Sequence, residues 1–313
     1  MRRLVSFFLA ISLLIVLCSC EHSYQAPAVG TMRILAFGND YAYGNAVYYL
    51  NGDQFMINGT PATANRLYKT VNDAQQVGRA LSALAQKAGM EYQAVYLTDY
   101  PAVTETRLVA ELEALAALTS ENDITVIYYS GHGFGVKTKM PYGYDTSTCS
   151  YIVPRFSDIP NSSVLFPVSD FLALVENIKG VKLVLGDFCY SGSLVQSNNF
   201  SVTSGEYQQM DSLYLFAKYR DAVYVNPSLF CLSAARYYEL SYENSPLHGN
   251  FTNALLEALG WDEENQCLKT AAAEKDNRIT LSAIAEYVVS HDEESKQTPM
   301  VSGGSNDIVL FSF

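Results

Sequence analysis

The strongest structural signal in this 313-residue chain is VKLVLGDFCYSGSL, from Val181 to Leu194. Four of its first five residues, all except Lys182, are apolar, which is typical of a buried strand. The glycine, aspartate and Ser-Gly pair that follow predict an abrupt turn, and Cys189 lies in that turn. Parallel sheets place their ligands at the carboxyl ends of strands. Cys189 therefore stands where an α/β protein holds a reacting group.

A second segment has the same build: DITVIYYSGHG, from Asp123 to Gly133. An apolar strand ends there in a glycine-rich turn that contains His132. A lone cysteine is more often a small buried apolar residue than a nucleophile. A cysteine and a histidine on neighbouring strand ends, however, can attack a carbonyl carbon and move the proton, while backbone N–H groups hold the oxyanion. The pair therefore favours nucleophilic catalysis.

The motifs Tyr129-Ser130-Gly131-His132-Gly133 and Asp187-Phe188-Cys189-Tyr190-Ser191-Gly192 resemble those of the caspase-like cysteine peptidases (peptidase C14), and are closer to metacaspases than to animal caspases. The similarity covers roughly Arg33 to Phe313. Further motifs follow in the order of that family: Asn72-Asp73-Ala74, Ser233-Ala234-Ala235, His248-Gly249-Asn250-Phe251-Thr252 and Gln297-Thr298-Pro299.

The resemblance implies catalytic roles for two residues. Cys189 would be the nucleophile and His132 the general base and acid, so that a peptide substrate forms an acyl-enzyme. It also implies an oxyanion hole made by the backbone N–H groups of Gly133 and Cys189. The simpler alternative for His132 is a strand-end histidine that bonds a loop carbonyl.

The resemblance also implies a binding pocket for the substrate residue before the scissile bond. The matching positions are Asp73, Ser130 and Asp187. Carboxylates bind guanidinium and ammonium groups by charge-assisted hydrogen bonds, so we expect peptide or protein substrates with Arg or Lys at the cleavage site. Two alternatives stay open, because Asp73 could instead cap its helix and Asp187 could fix its turn.

No cofactor is expected. Calcium-dependent metacaspases hold the ion through acidic residues; Asp170 matches one of these, but Gln196 stands where another acid belongs. One carboxylate is too few for an ion that takes six to eight oxygen ligands. The cysteines at 149, 189, 231 and 267 contain no Cys-x-x-Cys pair. We therefore predict no metal site.

The first residues resemble a bacterial lipoprotein signal peptide, predicted over residues 1–19. Arg2 and Arg3 precede an apolar run from Leu4 to Leu17, and Cys20 would become the lipidated residue. Residues 20–31 would form a tether. The alternative is an ordinary secretory signal. We expect an exported protein that contacts the membrane through its N-terminal lipid, on the periplasmic or cell-surface face.

Residues 32–313 are predicted to form one α/β domain with the caspase-like fold, in which about six mostly parallel strands carry helices on both faces. The net charge of −12 argues against nucleic acid as a partner. The predicted strands are 32–37, 92–97, 123–129, 181–185, 228–232 and 307–313. The predicted helices are 71–88, 104–118, 167–178, 250–259 and 281–290.

Two connections are less regular. Residues 38–65 would form either a hairpin over the site or a surface excursion, and 137–159 a loop with a small hairpin at most. Basic residues of loops are candidate self-cleavage sites or ordinary solvated charges: Lys137, Lys139, Arg155, Lys218 and Arg220.

We therefore expect a cysteine endopeptidase that cleaves after Arg or Lys at the cell envelope, with self-processing in its loops. The competing hypothesis is a catalytically silent caspase-like module that binds peptides or partner proteins there. A serine hydrolase is disfavoured because no Gly-x-Ser-x-Gly occurs at a strand end.

Overall fold

The computed structural model describes most of the chain beyond the predicted signal and tether. The described residues are 30–41, 46–57, 59–98, 102–139, 145–156, 159, 161–196, 228–291, 297–302 and 308–313, without the side chains of 136–149 and 196. The predicted signal segment and Cys20 lie outside them. No helix within these ranges is long and apolar enough to cross a membrane.

The strands and helices alternate along the chain. The strands are β1 (Met32–Gly38), β2 (Ala46–Leu50), β3 (Asp53–Gln54), β4 (Met56–Ile57), β5 (Thr60–Pro61), β6 (Thr63–Ala64), β7 (Tyr92–Leu97), β8 (Ile124–Ser130), β9 (Gly133–Lys139), β10 (Asp145–Ile152), β11 (Ser162–Val164), β12 (Phe166–Pro167), β13 (Val181–Asp187), β14 (Leu229–Ser233), β15 (Trp261–Asp262), β16 (Cys267–Leu268), β17 (Glu274–Lys275), β18 (Arg278–Thr280), β19 (Met300–Ser302) and β20 (Val309–Ser312). The helices are α1 (Thr70–Lys87), α2 (Glu105–Leu118), α3 (Val168–Glu176), α4 (Ser193–Gln196), α5 (Asn250–Leu259) and α6 (Leu281–His291).

Six strands form the central sheet in the order β19-β14-β13-β8-β1-β7. All neighbours in it are parallel except β14 and β19, which run antiparallel. The predicted fold class, a mostly parallel six-stranded sheet with helices, is thereby confirmed. Because parallel strands of such a sheet are buried on both faces, they read as nearly continuous apolar runs.

Strand β1 shows how the two faces are divided. Ile34 and Ala36 pack into one apolar cluster, together with side chains of α1, α5 and α6. Leu35 and Phe37 point the other way, into a second cluster with side chains of α2 and α3. This alternation follows from the period of two in a β-strand. The sheet therefore separates two cores.

The helix boundaries follow the local signals of the sequence. Thr104 caps α2, because its hydroxyl accepts a hydrogen bond from the Arg107 N–H at 3.2 Å. Gly260 ends α5 with φ of 71°, a left-handed conformation that glycine adopts without strain. The predicted helix 104–118 begins at the first of these residues, and the predicted helix 250–259 ends directly before the second.

The 38–65 connection forms a small sheet that reaches the carboxyl edge of the central sheet. Strand β2 pairs with β11, β3 and β6. Tyr41, Tyr48 and Ala64 are buried in a third apolar cluster, which also contains Tyr151 of β10. Of the two interpretations left open above, the structure favours a cover next to the site.

Two sequence predictions were wrong in this part of the molecule. Residues 137–159 are not mainly a loop, because β9 and β10 form a long antiparallel hairpin. The last strand, β20, does not join the central sheet but pairs with β18. The sixth strand of the central sheet is instead β19, a three-residue segment that is too short to give a clear sequence pattern.

Candidate active site

The carboxyl ends of β8 and β13 lie side by side. Ser130 pairs with Asp187 in the parallel register, and the Gly131 N–H donates to the Asp187 carbonyl at 3.2 Å. His132 and Cys189 each follow two residues after these paired positions. The structure therefore places both sequence-predicted catalytic residues at one edge of the sheet.

Gly133 brings the two turns into direct contact. A Cβ atom at this position would overlap the carbonyl oxygen of Cys189 and would lie 2.6 Å from the ring of Phe188. Only glycine allows such a close backbone approach. The main chains of Gly133 and Cys189, whose N–H groups are the predicted oxyanion donors, are neighbours as a result. Their role in binding an oxyanion stays a prediction.

Cys189 lies in a turn that is tied to the segment following β14. The N–H of Tyr190 donates to the Glu239 carbonyl at 2.8 Å, and Cys189 Sγ lies 3.8 Å from the Ser241 carbonyl oxygen. Burial raises the pKa of the thiol, and the nearby carboxyl of Asp187 raises it too, against the opposing Ser241 hydrogen bond. The half-buried thiol is therefore protonated at neutral pH and needs a base.

A hydrogen bond fixes the tautomer of His132. Its Nε2 lies 2.7 Å from the carbonyl oxygen of Asn65. Because a carbonyl can only accept, Nε2 carries the proton and Nδ1 holds the free lone pair. Burial lowers the pKa of His132, although the Asn65 hydrogen bond opposes this. The imidazole is therefore neutral at neutral pH and able to accept a proton.

The backbone of His132 is fixed by two buried tyrosines. The His132 N–H donates to Tyr41 Oη at 2.9 Å, and the Tyr129 hydroxyl donates to the His132 carbonyl at 2.8 Å. The rings of Tyr41 and His132 are also in contact, tilted by 48° with centroids 4.5 Å apart. Sequence reasoning missed Tyr41 and Asn65. The unusual tyrosine content of 38–65 was the only signal that could have indicated them.

The three residues predicted to bind substrate also meet at this edge; we call Asp73, Ser130 and Asp187 the acidic cluster. Ser130 Oγ donates to Asp73 Oδ2 at 2.9 Å. Asp187 accepts from Ser241 Oγ at 2.6 Å and from the N–H and hydroxyl of Thr252 at 3.2 and 2.6 Å. Both carboxylates thus have partners within the chain. Their role in binding substrate stays a prediction.

Burial controls the charge of the acidic cluster. It raises the pKa of Asp73 to about 6, against hydrogen bonds from His248 and Ser130 that lower it. Burial likewise raises the pKa of Asp187, against the hydrogen bonds of Ser241 and Thr252. Gly249 makes room for this arrangement, since a Cβ there would overlap Asp187 Oδ2.

His248 completes the surroundings of Asp73. Its Nδ1 lies 2.8 Å from Asp73 Oδ1, and its Nε2 lies 2.8 Å from Glu263 Oε2. The sequence motif that contains His248 was noted as a family landmark, but a role beside Asp73 was not foreseen. Glu263 had no sequence signal, because it belongs to an irregular hairpin after α5.

The segment between β14 and α5 is held over the site by residues close to the C-terminus. The N–H of Tyr242 donates to Gln297 Oε1 at 2.8 Å, and the N–H of Thr298 donates to Glu239 Oε2 at 2.8 Å. This segment includes Ser241, which contacts both Cys189 and Asp187. The C-terminal residues therefore fix the wall of the site.

Asp170 lies on the first turn of α3, exposed, and accepts a hydrogen bond from Ser169 at 3.1 Å. The side chain of Gln196 lies outside the described residues. Within the described part of the chain, no group of three or more His, Cys, Asp or Glu side chains could hold a metal ion. The expectation that no cofactor is required stays a prediction.

The suggested self-cleavage sites are distributed differently from what the sequence indicated. Arg155 is buried and bridges Thr104 and Ser163, so it does not lie in an exposed loop. Lys137 and Lys139 belong to β9, although their side chains are not described. Lys218 and Arg220 lie outside the described residues.

Comparison with known proteins identifies the fold and the family of the chain. No curated protein matches the chain. Among solved structures, a crystal structure of protein GSU0716 from Geobacter sulfurreducens matches with a TM-score of 0.51 and 16% sequence identity, over 90% of this chain and 97% of that one. At this identity the similarity shows the fold. The family model for the caspase domain, Peptidase C14, matches residues 50–307. The chain therefore belongs to the caspase-domain family.

Proposed function

We propose that this protein is a cysteine endopeptidase that uses Cys189 and His132. One observation carries the proposal. The contact between Gly133 and Cys189 joins the two turns, while the Asn65 carbonyl orients His132 so that Nδ1 is the basic atom. A thiol kept neutral by burial and an imidazole with an available lone pair are the groups that general-base activation of a nucleophile requires.

The reaction follows from these positions. Nδ1 of His132 takes the thiol proton as Sγ attacks the peptide carbonyl carbon. The oxyanion that forms is stabilised by the N–H groups of Gly133 and Cys189; one such donor contributes about 10²- to 10³-fold to kcat in other enzymes. The imidazolium then protonates the leaving amine. Water hydrolyses the thioester, with His132 again acting as the base.

The acidic cluster supports a preference for Arg or Lys before the scissile bond. Its two carboxylates lie at the edge that holds Cys189, and Ser241 contacts both Cys189 Sγ and the Asp187 carboxylate. Opposite charge in a partly dry pocket gives strong hydrogen bonds. An acidic protein, with a net charge of −12, also favours encounters with basic substrates.

The test is hydrolysis of four peptides that end in Arg, Lys, Asp or Asn before a chromogenic group, by the protein and its Cys189→Ala variant, with calcium and with chelator. Turnover after Arg or Lys that the variant lacks is the expected result. Unchanged turnover in the variant would refute the role of Cys189. Turnover after Asp would refute the basic preference, and silence of all four peptides would favour a module that only binds peptides.

We further propose that the protein is exported and attached to the bacterial membrane through lipid on Cys20. The basic start, the apolar run and the small residues before Cys20 support this. The full chain should enter the detergent phase on Triton X-114 partitioning and incorporate labelled palmitate. Cys20→Ala should lose both properties, and equal partitioning of the two forms would refute the anchor.

A further inference from the structure

His248 lies between two carboxylates in the wall of the candidate active site. Both ring nitrogens face carboxylates, Nδ1 that of Asp73 and Nε2 that of Glu263, each at 2.8 Å. Carboxylates only accept, so an imidazole with both of these bonds is protonated at both nitrogens. The residue is 4% exposed, and Asn72 Nδ2 fixes Glu263 by a 2.9 Å hydrogen bond. The arrangement is therefore built to hold a positive charge.

His248 is hydrogen-bonded to Asp73, which is one of the two carboxylates expected to bind a basic substrate side chain. Asp73 Oδ1 binds His248, and Asp73 Oδ2 accepts from Ser130 at 2.9 Å. Asp73 is buried and has no exposed surface. A second cation at Asp73 would have to displace the imidazolium or approach it at close range, and like charges repel strongly in a buried site.

Another carboxylate remains beside the site. Glu243 follows two residues after Ser241, which contacts Cys189 Sγ and Asp187. Its Oε1 is buried and has no hydrogen-bond partner among the described residues. Burial raises the pKa of Glu243, the charge of Lys69 and the backbone N–H groups of Tyr68 and Lys69 oppose the rise, and the charge of Asp187 adds to it. Lys69 Nζ itself donates to the main-chain carbonyls of Glu243 and Ser245. An unsatisfied acceptor next to Asp187 is suited to a guanidinium or ammonium group.

We propose that His248 is a specificity-determining residue of this pocket. Protonated His248 forms an ion pair with Asp73, and the basic side chain of the substrate is therefore bound by Glu243, beside Asp187. This inference rests on the proposed function, because it assigns the pocket to a peptide substrate. It also gives the pocket a response to pH, since loss of the His248 proton removes the competing charge.

The direction of that response follows from the groups around His248. It faces Asp73 from α1, Glu263 from the hairpin after α5, and Asp187 from the end of β13. Burial lowers the pKa of His248, but the hydrogen bonds and charges of Asp73 and Glu263 outweigh it and leave the pKa above the ordinary 6.5. Affinity for a cation should therefore rise as pH increases through this raised pKa. Such linked sites commonly couple about 5- to 150-fold.

The experiment uses the full chain with Cys189→Ala, so that binding is measured without turnover. The probes are acetyl-arginine amide and its neutral analogue acetyl-citrulline amide, titrated by calorimetry between pH 6 and 9. We expect arginine amide to bind about 5- to 150-fold more tightly at pH 9 than at pH 6, and citrulline amide to show no such rise. Equal binding of the two probes, or a flat arginine profile, would overturn the inference.

Four second-site variants assign the effect. Glu263→Gln removes one carboxylate from His248 and should shift the rise to lower pH. His248→Gln should reduce the rise to the part that ionisation of the buried carboxylates alone gives, and Glu243→Gln should weaken arginine binding at every pH. His291→Gln is the matched control, because His291 is exposed at the end of α6. A profile unchanged by Glu263→Gln, or arginine binding unchanged by Glu243→Gln, would overturn the assignment.

Two readouts separate this inference from the proposed function. If His248→Gln loses its cooperative unfolding transition, Glu263→Gln carries the test, since the Glu263 side chain is 25% exposed and the histidine is kept. Binding with the expected pH response, in a protein whose intact Cys189 hydrolyses no peptide, would refute the peptidase and keep the pocket. Turnover after Arg, together with arginine binding that does not change with pH, would keep the peptidase and refute the role of His248.

Discussion

Burial shifts the pKa of Cys189 and the pKa of His132 in opposite directions. It raises that of the thiol and lowers that of the imidazole, because the charged form of each group is disfavoured away from water. The resting pair is therefore neutral, rather than a thiolate–imidazolium pair. In the peptidase that we propose, the proton would therefore move from Cys189 to His132 during the reaction, when the substrate excludes solvent from the site.

Alkylation by iodoacetamide measures the protonation state of Cys189 directly, because only the thiolate reacts. Since its pKa is raised, the Cys189 thiolate should appear only above the ordinary range near pH 8.5. At pH 7, Cys189 should therefore react more slowly than the exposed Cys267, as followed by peptide mass spectrometry. Faster reaction of Cys189 than of Cys267, with a midpoint near pH 6, would instead indicate an ion pair.

Loss of the Tyr41 hydroxyl should reduce both the stability of the protein and its turnover of peptides. Its hydroxyl donates to the Val153 carbonyl at 2.7 Å and accepts from the His132 N–H at 2.9 Å. Tyr41→Phe leaves both groups without this partner, so we expect a loss of about 1–3 kcal/mol in the free energy of unfolding. In urea denaturation and peptide kinetics, kcat should fall more than KM changes.

The control is Tyr92→Phe, since Tyr92 is exposed at the start of β7. A Tyr41→Phe protein with the stability and kcat of the parent would show that His132 is positioned by other contacts.

Sequence reasoning found some residues of the site and missed others for a physical reason. Cys189 and His132 follow apolar strands directly, so periodicity places them. Tyr41 and Asn65 come from the irregular 38–65 connection, where no period relates a residue to its position in space. Their function as hydrogen-bond partners depends on tertiary packing, which a local pattern does not contain.

At the scale of elements, predictions were accurate where burial imposes a period. The strand Tyr92–Leu97 and the helix Asn250–Leu259 were predicted with the bounds that they have. The length of the β9–β10 hairpin was underestimated because its sequence is polar and rich in turn residues. Strand β19 was missed because three residues cannot show alternation, and its place in the sheet comes from pairing with β14.

Asp123 links three elements at the start of β8. Its carboxylate accepts from the N–H groups of Thr31 and Ser120 at 2.9 and 3.0 Å, and from Arg33 Nε at 3.2 Å. Burial alone would raise the pKa of Asp123, but these bonds outweigh it and lower the pKa. A carboxylate with a depressed pKa stabilises the folded state above its unfolded pKa, and this contribution is lost as pH falls through the folded value.

Asp123→Asn should therefore reduce the free energy of unfolding by about 1.5–3 kcal/mol near neutral pH. The difference from the parent should shrink as pH falls below about 4, where the unfolded parent is protonated. Urea titrations from pH 3 to 7 measure this. A difference that stays constant over that range would mean that the charge of Asp123 does not contribute.

At the scale of the whole molecule, one sheet carries two separate cores. Ile284 of α6 is buried on one face, whereas Ile178, just after α3, is buried on the other. Both cores pack on the same six strands, so neither can melt without exposing the shared sheet. We therefore expect one cooperative unfolding transition for the domain.

Ile284→Val and Ile178→Val test this together. Each should reduce the free energy of unfolding by about 0.5–1.5 kcal/mol, and the double variant should show their sum within about 0.5 kcal/mol, because the two sites share no partners. Urea unfolding followed by fluorescence and by circular dichroism should give coincident curves. Two separated transitions would show that the cores unfold independently.

The hydrogen bonds from Gln297 and Thr298 to the segment over Cys189 have a consequence for the newly made chain. The ribosome adds the residues that complete this wall roughly 100 residues after the nucleophile, or about 5–20 s later. During that interval the nucleophile exists without a finished pocket. If the protein is the peptidase we propose, nascent chains that have not yet reached Gln297 and Thr298 should cut each other, and the machinery that produces them, less readily than finished chains do.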